Sequence, residues 1–142
     1  MLARKSYSRE YLQSCRDRVD AQVLAYREVA DAVKDSDAAD ASALAALEQA
    51  YFSNMVLTLD GYFQHRMRGM EGKDGNPANE VRVLTASILE NGGILAADST
   101  IALKPESSVL GLAVGDPVVV TEEKFMHLAF AYFSEIEARY GE

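Results

Sequence analysis

The sequence is short of the groups that announce a chemistry. It has one cysteine, Cys15, so no internal disulfide framework can form. It has two histidines and no paired Glu-x-x-His motif, which excludes the di-iron arrangement of helical carboxylate proteins. No metal site and no cofactor is expected. No uncharged apolar run approaches the ~18 residues of a membrane span. The basic start, Met1 to Tyr7, is followed by no apolar stretch of the secretory kind. A reducing cytoplasm is therefore the expected compartment. Basic residues are the scarcer charge, 14 against 22 acidic, for a net charge of −8. That balance disfavours binding to nucleic acid or anionic membranes. GxxxxGK[ST], a dinucleotide-binding glycine pattern and a nucleophile elbow are all missing. Gly69-Met70-Glu71-Gly72 matches GxxG by letter alone.

What is present is helix. With 142 residues and 49% hydrophobic content, the chain is expected to form one helical domain, residues 1–142, with a buried core. Leu12, Cys15, Val19, Gln22, Tyr26, Val29 and Val33 recur in steps of three and four, predicting a first helix from about Ser8 to Lys34. Leu24 lies off that seam. A second helix is predicted from about Ala41 to Arg68. Its apolar residues, from Leu44 to Phe63, cover half the helical circumference, as a central helix requires. Gly61 inside it implies close packing or a kink. Asn76-Pro77 starts a third helix, which Asn91-Gly92-Gly93 closes.

Residues 94–120 break into short apolar runs separated by Gly, Pro, Asp and Ser, and predict a β-hairpin or extended excursion. Thr121-Glu122-Glu123 opens a last helix with Phe125, Leu128, Tyr132, Phe133, Ile136 and Tyr140 on its core stripe. Met126 and Phe130 widen that stripe beyond what one core needs, which suits a dimer contact. The expected fold is mainly α: a four-helix, bundle-like domain with a short β excursion between the third and fourth helices.

One window is net positive. Residues 65–82 hold four of the basic residues against three acidic ones, at the predicted junction of the second and third helices. Arg66, Arg68, Lys73 and Arg82 surround a helix start capped by Asn76, where free backbone N–H groups attract anions. Glycines at 69, 72 and 75 let a ligand approach the backbone. A phosphate or carboxylate is the group such a site would suit. The other reading is a helix–helix turn whose glycines take positive φ and whose arginines pair with Glu71, Asp74, Glu80 and the end of the second helix. Arg66 projects onto the middle of the apolar arc, so it either covers the core with its stem or is held by a buried carboxylate such as Glu80 or Glu48. His65 lies at the border of that arc and is the candidate base. Cys15 lies on the seam and is expected to be buried and inert.

These features favour a non-enzymatic binding or interaction protein. It would be a homodimer or bind a protein partner, with a small-anion site of Arg66, Arg68, Lys73, Asn76 and Arg82. The alternative is a small cofactor-free enzyme, not requiring metal, that uses His65 with the nearby basic residues on an anionic substrate.

Overall fold

The computed structural model describes residues 2–142. Helix α1 spans Arg9–Val33, α2 spans Ala38–Tyr62, α3 is a single turn at Arg68–Glu71, α4 spans Pro77–Glu90, and α5 spans Glu122–Tyr140. The chain is mainly helical, as its periodicities require.

Polar side chains start the four long helices. Ser8 accepts from Tyr11 N–H, Asp37 from Asp40 N–H, Asn76 from Ala78 and Asn79 N–H, and Thr121 from Lys124 N–H. Each satisfies a donor that the first turn leaves without a partner.

Helices α2 and α5 pack against one another, and each also touches α1 and α4. Phe52, Leu59, Phe63, Phe125, Leu128 and Tyr132 are completely buried between them. The rings interlock: Phe52 with Phe125 at 5.4 Å between centroids, Phe63 with Tyr132 at 6.0 Å. Along α1, Leu12, Cys15, Val19 and Tyr26 are buried, whereas Val29 is exposed. No helix among the described residues is long and apolar enough to cross a membrane.

One expectation is corrected and two are narrowed. The second helix ends at Tyr62, not at Arg68. There the N-terminal segment takes over the backbone bonding: Arg4 N–H donates to His65 O at 2.7 Å, and Met67 N–H donates to Arg4 O at 2.8 Å. This pairing unwinds residues 63–67 and turns Arg66 into the protein. Of the two forms expected for the stretch after α4, the chain takes the extended excursion and not a regular hairpin. Ile94 and Pro117 make one isolated antiparallel bridge, and the segment between them lies irregularly over α4. Pro105 and Pro117 each lack a ladder donor, and Gly111 and Gly115 turn the chain with positive φ. Gly61 has open space where a side chain would stand, so close packing does not account for it.

Candidate functional site

The basic window folds around a buried carboxylate. Glu71, on the single turn α3, is completely buried. Arg66 Nε donates to its Oε1 at 2.7 Å, and Arg82 donates to both of its oxygens, Nη2 to Oε1 at 2.7 Å and Nε to Oε2 at 3.1 Å. Asn79 Nδ2 adds a bond to Oε2 at 2.7 Å. Burial alone would raise the pKa of Glu71. The hydrogen bond from Arg82 and the charges of Arg66 and Arg82 outweigh it and hold the carboxyl down at about 2.

The remaining valences of Arg66 are also used. Its Nη1 donates to Asp60 Oδ1, the Phe63 carbonyl and the Tyr132 hydroxyl at 3.1 to 3.3 Å, and Nη2 reaches the Ala78 carbonyl at 3.4 Å. Burial, the largest influence on the Tyr132 phenol, raises its pKa and keeps it neutral. Two cations, Arg66 and Arg82, thus meet two carboxylates, Glu71 and Asp60, and balance their charge.

The α4 start is occupied in the same way. Asn76 Oδ1 accepts from Ala78 N–H at 2.9 Å and Asn79 N–H at 3.1 Å, which are the donors an anion would have used. Asn76 Nδ2 in turn donates to the Glu71 carbonyl at 2.7 Å. Arg66, Asn76 and Arg82 therefore have internal partners. Arg68 and Lys73 are exposed on the surface. His65 is exposed too, with its Nε2 beside the Gln64 side-chain nitrogen at 3.2 Å. It lines a separate cleft of about 550 Å³ together with Arg4, Ser6, Tyr11, Gly61 and Glu142.

The partner of Arg66 is neither Glu80 nor Glu48. Glu80 is buried and accepts the Val109 and Leu110 N–H groups at 2.7 and 2.9 Å, tying the excursion to α4. Glu48 accepts the Glu122 N–H at the start of α5. Glu71 is among the acids expected to pair with the arginines, and it alone of Glu71, Asp74 and Glu80 takes both Arg66 and Arg82, whereas sequence reasoning missed Asp60, Asn79 and Tyr132 as members of the cluster. The signal available was Arg66 itself, a charge on an apolar arc that required a buried acid nearby. Among the described residues no three His, Cys, Asp or Glu side chains converge in a metal-binding set.

A second feature lies on the opposite side of the core. Helices α1 and α5 run antiparallel, with Arg16 bridged to Glu137 at 3.1 Å and Arg27 bridged to Glu122. Between the bridges is a groove of about 620 Å³, walled by Val19, Val23 and Leu24 on one side and Phe125, Met126 and Phe130 on the other. Phe130 is 78% exposed, Leu24 58% and Met126 46%. These three are the exposed large apolar side chains that line the groove.

Comparison of the chain with models of known families, with curated proteins and with solved structures yields no match.

Proposed function

We propose that this protein is a non-enzymatic interaction module working through the α1–α5 groove. The surface it receives is a helical face of a protein chain, with its own apolar side chains flanked by charges of both signs. One observation carries this reading: Phe130, Leu24 and Met126 stand in water beside a groove whose ends are lined with charge. Exposed apolar side chains concentrated on one face mark contact sites, whereas scattered ones do not. Aromatic anchors supply most of the energy of such contacts. The lone, buried Cys15 accords with a reducing cytoplasm.

The test is the stability of Phe130→Asp. A side chain kept for folding destabilises the protein when replaced by a charge. One kept for a partner leaves the fold as stable as before, or more so. Unfolding in urea is compared at dilution where the unfolding free energy no longer depends on protein concentration. An unchanged value supports the reading, and a loss above about 2 kcal/mol, the cost of a core lesion, sinks it.

The enzymatic alternative would rest on His65 and the cleft it shares with Arg4 and Tyr11. With Arg66, Asn76 and Arg82 bound internally, Arg68 and Lys73 are the cations of the expected site that stay exposed, and Arg4 is the one that lines this cleft. A small phosphate or carboxylate bound there should raise the melting temperature, and Arg68→Ala with Lys73→Ala should abolish the rise.

A further inference from the structure

We infer that the occupant of the α1–α5 groove is a second copy of this chain, related to the first by a two-fold axis parallel to the two helices. The inference rests on the interaction reading above and adds the partner and its orientation.

The surface is suited to self-pairing. Phe130, the most exposed of its apolar side chains, lies midway along α5, eight residues from Glu122 and seven from Glu137. A knob at the centre of a face is where a two-fold partner can place the same knob symmetrically. The face also has adequate extent. At ~1.5 Å per residue α5 is about 28 Å long, and two helices side by side span roughly 20 Å. That projects to on the order of 600 Å², and side-chain relief brings the accessible area near the ~800 Å² per partner of a standard interface.

Charge selects the axis. Each bridge has its arginine on α1 and its glutamate on α5. A two-fold axis lying in the interface across the helices would stack α1 on the partner's α1 in opposite directions. Arg16 would then face Arg27 of the other copy, and Glu137 would face Glu122. An axis along the helices instead stacks α1 on the partner's α5. Arg16 then faces Glu137 of the other copy, and Arg27 faces Glu122. Both bridges become four-charge clusters of alternating sign. Like charges held face to face oppose association, and alternating ones favour it.

The arrangement makes a cross-linking prediction. Counting inward from the two bridges, residue 24 lies level with residue 126. The parallel axis therefore sets Leu24 of one copy against Met126 of the other. The full chain should show a two-chain mass in sedimentation equilibrium at micromolar concentration. Phe130→Asp should weaken self-association by about thirtyfold or more, as loss of an aromatic anchor does. Leu24→Cys and Met126→Cys chains, mixed and oxidised, should link to each other. Neither should link readily to itself, and Cys15 is buried and takes no part. Self-linking of Leu24→Cys alone would overturn the axis. A one-chain mass for the native protein would overturn the second copy as occupant. The interaction reading would then still stand or fall on the stability of Phe130→Asp, so the two failures are distinguishable.

Discussion

Arg66 and Glu71 meet inside the protein at 2.7 Å with neither side chain exposed to solvent. They are five residues apart, yet no regular helix joins them. The chain leaves α2, takes its backbone bonds from Arg4, and makes one turn of helix to bring them together. Desolvating both charges is costly, and the network of Asp60, Asn79, Arg82 and Tyr132 is what makes the pairing tolerable.

The first prediction concerns the loss of one partner. Glu71→Ala leaves Arg66 buried with its main counter-charge gone, and should cost about 3–5 kcal/mol, measured by urea unfolding. A loss under about 1 kcal/mol would mean that water reaches Arg66 and that the pair is not sealed.

Acid should unfold the protein through the same residue. The ordinary value for Glu71 is 4.5, and in the folded state it is held at about 2. Between these values the unfolded chain binds the proton more readily. The stabilisation is thus complete above the ordinary value and lost as pH falls toward 2, and is on the order of 3 kcal/mol. Glu80 acts in the opposite sense. Burial raises its pKa, with the Leu110 and Val109 N–H groups partly offsetting this, so its contribution is lost as pH rises through the folded value. Melting curves across the acid range should show a steep limb that Glu71→Gln flattens. Glu80→Gln should gain on the native protein as pH rises above 4.5.

Glu80 also makes a prediction about motion. It holds the Val109 and Leu110 N–H groups directly. Glu80→Ala should raise hydrogen exchange at those two amides by well over tenfold while α1 and α5 keep their protection, since an unpaired N–H in an irregular segment opens locally.

Gly75 is a glycine that the fold cannot replace. Its φ is +86°, and a Cβ there would collide with the Ala102 carbonyl. Gly75→Ala should therefore cost more than about 1 kcal/mol, combining an unfavourable conformation with a clash against the excursion. Gly61→Ala, in a regular helix with open space beside it, should instead stabilise by about 0.4–1 kcal/mol.

Cys15 supplies a simple control. Burial raises the pKa of its thiol, with Tyr11 and Arg18 acting weakly against this. A thiol reagent should modify it slowly at neutral pH in the native protein and at once in denaturant. Fast native reaction would mean that α1 is not packed as described.

The helices were legible because their signals are local. Ser8, Asn76 and Thr121 cap the helices they were expected to start, and the stripe from Phe125 to Tyr140 is the buried face of α5. The end of α2 was not legible, because it depends on Arg4, more than sixty residues earlier in the chain. For the same reason the sequence leaves the basic window open between an anion site and a turn whose arginines pair with nearby acids. Its arginines are visible in sequence as surplus charge, but Glu71 is one acid among 22 until the turn at α3 buries it. Leu24, Met126 and Phe130 could be singled out by position on their helices. Their alignment into one groove follows only from the antiparallel crossing of α1 and α5.

That difference in sequence separation also orders the assembly of the molecule in time. The bonds of Glu71 to Arg66 and Arg82 close loops of five and eleven residues, whereas the bridges joining α1 to α5 span 121 and 95. Short loops lose little chain entropy on closing, and long ones are formed after other contacts have shortened them. The Glu71 pairs are thus the short-range part of the junction, which Arg4 and Tyr132 complete from a distance, and the apolar groove needs both ends of the chain in place before it exists. A chain that is still folding has no completed groove to offer, and a partner that needs the whole face selects for finished molecules.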